Sequence, residues 1–337
     1  MSDLIRDLII RAKQNPKRIA FPESENQSIL KVAEQTYRQG IGFPILLGER
    51  EIIESLAKEN GVSTEGFVYF NYQDEGLRQE MAERYAEEYS DMSVKSVLRK
   101  MKKPLECALF LMKLGETDAV AAGKDYSTGD VLIAAQMIVG LQEGVESVSS
   151  LGIADIPDFN GPQGNLLGLA DCAITAQPDA KDLAGIAIAS ADTAKIMLGW
   201  EPRVAMLAFS TDGSAEHESI DVIREGIRLV HELRPDIKCD GEFQLDAAIL
   251  PEVAEKKVKR ESEVAGRANI LIFPNLHAGN IGVKLVQIFG KANAYGPVLQ
   301  GFARPVCDFS RSAPVEEMLG NVAMLVLRAG AGKGADK

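Results

Sequence analysis

The strongest constraint on this chain is a rhythm: short apolar runs end in Gly or small polar residues, and each is followed by an amphipathic segment. Residues 18–21 read as a strand, 27–39 as a helix stopped by Gly40, 43–47 as a strand, 49–60 as a helix with Gly61 beyond it, and 66–72 as a strand. A helical stretch from 74 to 113, interrupted at Lys103-Pro104, leads to a strand at 118–122 that ends at Gly123. The polar loop KDYSTGD (124–130) and a helix at 131–139 follow. From Val145 two strands joined by a Gly/Pro/Asn-rich turn precede a helix at 180–197. Strands at 203–209, 237–240, 268–273 and 296–301 and helices at 218–233, 281–289 and 315–328 complete the pattern. Such alternation predicts α/β layers with mostly parallel sheets.

A chain of 337 residues, 46% of them hydrophobic, can bury a large core, and its length predicts two domains. The formal net charge of -12 and the absence of a dense Lys/Arg cluster argue against a nucleic-acid partner, so any anionic ligand must be held by local donors. Cys107, Cys172, Cys239 and Cys307 are far apart, form no C-x-x-C pair and read as reduced, buried thiols. With three histidines, no zinc site and no His-dependent triad is expected, and no metal is assigned. The first 18 residues read as an amphipathic helix rather than a signal peptide, and no run approaches the ~20 apolar residues of a membrane span. The expectation is a cytoplasmic protein without a membrane partner. The tail AGAGKGADK reads as frayed, and its GKG lacks the strand, spacing and hydroxyl of a phosphate loop.

Several segments share one design, an apolar strand ending in small and polar residues before a helix. The strand ending at Gly123 runs into Lys124, Ser127 and Thr128, where the unpartnered amides of a helix start could hold an anion; the same segment is equally an ordinary α/β connection. VAMLAFSTDGSA (204–215), CDGEFQLDAA (239–248) and ANILIFPNLHAGNIGVK (268–284) repeat the design. Ligands of open α/β sheets sit at the carboxyl ends of strands, which makes Ser210, Thr211, Gly213, Ser214, Asp240, Glu242, Asn275, Gly279 and Asn280 candidates for one cleft, although each taken singly is also a turn or cap residue. In GPVLQGFARPVCDFSRSAPVEEML (296–319), Ser310 and Arg311 precede a helix that Pro314 helps to start. An Arg beside a hydroxyl suits a phosphate or a developing oxyanion; alternatively Ser310 is an N-cap, Arg311 a solvated charge, and Glu317 a partner of the helix dipole.

The strings AFSTDGSA, DGEFQLDAA, ANILIFPNLHAGNIGVK and GPVLQGFARPVCDFSR resemble the phosphate acetyltransferase family, including its ethanolamine-utilisation branch, and the resemblance extends over nearly the whole chain. It implies an isocitrate/isopropylmalate dehydrogenase-like fold: two three-layer α/β domains with a cleft between them, the first from residues 1–147 and 296–337, the second from 148–295. It also implies a homodimer and reversible acyl transfer between acetyl-CoA and phosphate, giving acetyl phosphate and CoA through a ternary complex. No cofactor is implied, coenzyme A being a substrate. On the same ground Ser310 and Arg311 match the family's Ser-Arg pair, Glu317 falls where its acidic base for the CoA thiol lies, and Lys124, Ser127, Thr128, Ser210, Thr211, Gly213, Ser214 and Asn280 fall in its substrate-binding loops.

The chain departs from the family pattern at Ser28, Ile133 and Tyr89, where the resemblance places arginine, and at Ser312, Ala313, Pro314 and Val283. These departures keep two alternatives open: a relative impaired in catalysis or without it, and a transferase for a different acyl-CoA. An NAD-dependent dehydrogenase is disfavoured, because no G-x-G-x-x-G appears.

Overall fold

The computed structural model describes residues 2–142 and 145–331, so most of the Gly/Ala/Lys-rich tail lies outside the described residues. The chain forms two units, Met1–Gly140 with Phe302–Lys337, and Leu141–Gly301.

In the first unit the elements are α1 (Asp3–Ala12), β1 (Lys17–Phe21), α2 (Gln27–Arg38), β2 (Gly42–Leu47), α3 (Arg50–Glu59), β3 (Val68–Phe70), α4 (Glu75–Glu88), α5 (Val94–Lys100), α6 (Pro104–Lys113), β4 (Ala119–Ala122) and α7 (Thr128–Ile138). In the second they are β5 (Ser149–Asp155), β6 (Leu166–Ala170), α8 (Ala180–Leu198), β7 (Arg203–Leu207), α9 (Glu218–Leu233), β8 (Lys238–Phe243), α10 (Leu245–Ile249), α11 (Pro251–Lys257), β9 (Ile270–Ile272), α12 (Leu276–Phe289) and β10 (Asn293–Gln300). The chain then returns to the first unit with β11 (Val306–Asp308) and α13 (Val315–Ala331).

The first sheet is parallel throughout, in the order β11-β4-β1-β2-β3. Its central strands are buried on both faces, as the fully buried Ile19, Ala20 and Phe21 of β1 show, because helices cover both sides of a parallel sheet. Both α13 and α6 pack on β1 and β4, the former with α1 and α2 and the latter with α7. The strand order reverses between β1 and β4, and ligands of open α/β sheets bind at such a reversal, beyond the carboxyl ends of the strands. Register sharpens this: Asp308 pairs with Ala122, so β4 and β11 run out side by side.

The second sheet is mixed, in the order β10-β5-β6-β9-β7-β8, with β10, β5 and β6 antiparallel neighbours and the rest parallel. Strand alternation divides its core: Val204 and Met206 pack with Leu183, Ile186, Trp200 and Ile223 on one face, Ala205 and Leu207 with Phe243, Ala248 and Val264 on the other. Because β10 pairs with β5, residues 293–300 belong to this sheet, and the chain re-enters the first unit at Phe302.

Candidate active site

In the first unit, three chain segments leave the carboxyl edge of the sheet together. Gly123 closes β4 at φ +112°, and a Cβ there would overlap Asp308 Oδ1 and the backbone of Phe309, so only glycine lets the two turns approach this closely. The Phe309 amide donates to the Ala122 carbonyl at 2.6 Å and locks the pair.

Glu23, buried just beyond β1, holds the next loop. Its Oε2 accepts the Gly123 amide at 3.0 Å, and its Oε1 accepts the amides of Asp125 at 2.6 Å and Tyr126 at 3.0 Å. The amides of Gly123, Asp125 and Tyr126, just ahead of the helix start at which an anion was expected, are thus filled by a carboxylate of the chain. Ser127 is the N-cap of α7: its Oγ accepts the Asp130 amide at 3.1 Å and donates to Asp130 Oδ2 at 2.6 Å, a capping box whose Ser127 hydroxyl draws the Asp130 carboxyl below its usual range. Thr128 stands exposed on the first turn of α7, and its hydroxyl donates to Asp308 Oδ2 at 2.6 Å.

Lys124 does not project as a free cation. Its Nζ donates to the carbonyls of Arg311 at 2.6 Å, Ala313 at 3.2 Å and Ser310 at 3.5 Å, so it clamps the loop that carries the Ser-Arg pair. Ser310 is not the N-cap of α13. Its carbonyl takes the Ala313 amide in a turn, the Pro314 carbonyl takes the Met318 amide, and the Ser310 hydroxyl lies 3.1 Å from that of Ser312. Arg311 is exposed and has no ion pair among the described residues; its charge adds to the pull of Ser127 on the Asp130 carboxyl and opposes, as the smallest influence, the burial that pushes the Asp308 carboxyl up. Glu317 sits in the first turn of α13, half-buried; burial pushes its carboxyl up, and the charge of Lys124 opposes this. The first unit therefore gathers Lys124, Ser127, Thr128, Ser310, Arg311 and Glu317 around the ends of β4 and β11.

The positions of missing arginines differ in kind. Ile133 is 65% exposed on α7, Ser28 lies in the first turn of α2, and the Tyr89 hydroxyl donates to the Lys113 carbonyl at 3.1 Å while its ring packs on Tyr85.

In the second unit the 210–215 loop is tied internally. Glu242, 2% exposed at the end of β8, accepts the Ser210 hydroxyl at 2.8 Å and the Gly213 amide at 3.0 Å, and pairs with Arg224 Nε at 2.9 Å. Burial pushes its carboxyl up, but Arg224, the Gly213 amide and Ser210 outweigh this and hold it at about 2. Ser214 Oγ accepts the Thr211 amide at 2.9 Å, and Thr211 Oγ1 accepts the Gln244 amide at 2.9 Å. Ser210 and Thr211 are buried, so their hydroxyls shape the loop, while Gly213 and Ser214 form its exposed tip. Asn280, at the start of the second turn of α12, is exposed and donates to the Cys172 carbonyl at 3.4 Å.

Sequence reasoning missed Glu23, Asp308 and Asp130; it named Glu242 among the strand-end residues of a cleft, but not as the buried partner of Arg224 and Ser210. Only the Ser127–Asp130 box carried a local signal, an S-x-x-D spacing before an apolar run. Among the described residues, no group of His, Cys, Asp and Glu is arranged to hold a metal ion.

A sequence model of the phosphate acetyl/butaryl transferase family matches residues 3–326. The phosphate acetyltransferase of Thermoanaerobacterium thermosaccharolyticum is 39% identical over 332 residues, which cover 97% of this chain and 99% of that protein. Two solved structures superpose over nearly their whole length. A phosphotransacetylase from Streptococcus pyogenes gives a TM-score of 0.89 at 31% identity, covering 98% of this chain and 99% of that one. The EutD phosphotransacetylase from Staphylococcus aureus gives 0.87 at 32% identity, covering 96% and 99%.

Proposed function

Since the chain belongs to the phosphate acetyl/butaryl transferase family, we propose that it is a phosphate acetyltransferase, moving an acetyl group reversibly between coenzyme A and phosphate. The observation that carries this reading is the exposed Arg311, without an ion pair among the described residues, on a loop clamped by Lys124, next in sequence to Ser310 and followed by Glu317 in the first turn of α13. Arg311 and Ser310 supply donors for a tetrahedral oxyanion or a phosphoryl group. Glu317, whose carboxyl burial raises, returns a proton to the departing CoA thiolate in one direction and takes the thiol proton in the other, as microscopic reversibility requires. Thr128 and the exposed Gly213, Ser214 and Asn280 are the proposed substrate contacts; Ser127, Ser210 and Thr211 hold their loops. Coenzyme A is a substrate in this scheme, and no cofactor is invoked.

The test is phosphate- or arsenate-dependent turnover of acetyl-, propionyl- and butyryl-CoA by the folded protein. Acetyl-CoA is expected to turn over fastest, and failure with all of them removes the proposal. Within it, Lys124→Met is expected to lower turnover about 10–100-fold with little change in melting temperature, because the clamp is lost while the half-buried position accommodates the similar length of Met. Unchanged turnover would show that the loop keeps its shape without Lys124.

A homodimer is also proposed. α12 buries only Gly279, yet it exposes Ile281 (56%), Leu285 (49%), Ile288 (69%) and Phe289 (78%) at the spacing of one helix face. A patch of this kind marks an interaction surface, and a second copy is its proposed occupant. Light scattering should find a dimer for the wild type and a monomer for Ile288→Glu/Phe289→Glu; a double variant that remains dimeric would move the seam elsewhere. No helix among the described residues is long and apolar enough to cross a membrane. The four cysteines are free and buried, which fits a reducing compartment, and the proposed location is the cytoplasm.

A further inference from the structure

Asp308 ends β11 inside the candidate site, yet the scheme above gives it no task. Its two oxygens have different surroundings. Oδ2 accepts the Thr128 hydroxyl at 2.6 Å, whereas Oδ1 is buried without a hydrogen-bond partner among the described residues, facing the Cα of Gly123. A hydroxyl has one proton to give. The proton of Thr128 goes to Asp308, so the exposed Thr128 Oγ1 presents only lone pairs to a ligand. That polarity is wrong for binding a bare phosphate oxygen and right for receiving a proton.

We propose that Thr128 and Asp308 form the proton-accepting dyad for the phosphate nucleophile, a reading that rests on the acyl-transfer function above. Hydrogen phosphate attacks the acyl carbon through one of its three unprotonated oxygens, and its single P–OH must give up its proton for the acyl phosphate to leave as the dianion. The P–O–C bond forms, the carbonyl electrons move to the oxygen beside Arg311, and the proton passes to Thr128 Oγ1 while the Thr128 proton moves to Asp308 Oδ2. Collapse of the intermediate breaks the C–S bond, and the CoA thiolate takes its proton from Glu317. The cycle closes when Asp308 loses a proton to solvent and Glu317 regains one. Thr128 touches the substrate; Asp308 acts through it as a positioning and proton-holding residue.

The surroundings suit this role. Burial pushes the Asp308 carboxyl up, the Thr128 hydrogen bond lowers it, the Glu23 carboxylate at the end of β1 raises it, and Arg311 lowers it, leaving it at about 6. Lys124 in the β4–α7 turn is occupied by the 310–313 carbonyls, Asp130 on α7 by Ser127, and Arg328 of α13 faces Cys307. A base that titrates near the working pH is the efficient kind.

The experiment compares kcat/KM against pH, with acetyl-CoA and phosphate, for the wild type, Asp308→Asn, Thr128→Val and Thr128→Ser. The wild-type value is expected to fall below about pH 6, and both Asp308→Asn and Thr128→Val to lose about 10²-fold or more in kcat together with that acidic fall. Thr128→Ser keeps the hydroxyl and restores both. The ionisation of phosphate itself is common to all four proteins and cancels in their ratios. Thr128 is exposed, so Thr128→Val reports on the dyad even where Asp308→Asn folds poorly. Wild-type turnover with a near-normal Thr128→Val, or with the acidic fall intact in either variant, overturns the dyad alone; no wild-type turnover removes the acyl-transfer reading and the dyad with it.

Discussion

Replacing Arg311 with alanine is expected to lower kcat by about 10²–10³, a loss of roughly 2.7–4 kcal/mol of transition-state stabilisation, the size seen when one oxyanion donor is removed. kcat and kcat/KM should fall together, because the guanidinium acts on charge that develops in the transition state. Arg311→Lys should recover little, since an ammonium cannot reproduce a planar fork. The melting temperature should hardly move: the side chain is exposed and has no ion pair among the described residues. Steady-state kinetics beside a melting curve decides the matter. A variant within about threefold of wild type would mean that another donor carries the oxyanion.

The largest expected effect on stability comes from the second unit. Glu242→Gln should destabilise it by about 2–4 kcal/mol, below the usual cost of breaking a buried ion pair because the Arg224 side chain is 39% exposed and stays partly hydrated. The pH dependence follows from the sign of the shift. The folded carboxyl sits at about 2, below its ordinary 4.5, so its contribution is complete above the ordinary value and is lost as the pH falls toward 2. Denaturant titrations at several pH values should show that slope in the wild type and a flatter one in Glu242→Gln. Equal stability of the two proteins at neutral pH would show that the 210–215 loop is held without the pair.

Legibility in the sequence followed the range of the interactions. α9 was readable over its full span, 218–233, because an apolar stripe fixes it locally. β11 was not, since three residues between Pro305 and Phe309 carry no periodicity and become a strand only by pairing with β4. α10 and α11 escaped for a similar reason: each is about one to two turns long and separated from the other by a single leucine ahead of Pro251. β10 was read short because Gly296-Pro297 interrupts it, and pairing with β5 carries it across. In the candidate site, Ser310 and Arg311 stood out as a motif. Asp308 and Glu23 did not, for their partners lie on segments far away in sequence, at Thr128 and Gly123–Tyr126. An isolated acidic residue beside a strand end looks the same whether it meets solvent or a distant turn.

The carboxylate of Glu23 makes the β4–α7 turn a receptor that is permanently occupied by its own chain. Small mobile anions therefore find no vacancy among the amides of Gly123, Asp125 and Tyr126. Three amide hydrogen bonds to Glu23 hold the turn before any substrate arrives, which lowers the ordering entropy that binding must lose there. Selectivity among phosphate, arsenate and sulfate then rests on proton content and shape rather than on charge alone: sulfate, which has no proton to give near neutral pH, meets at Thr128 an oxygen that can only accept.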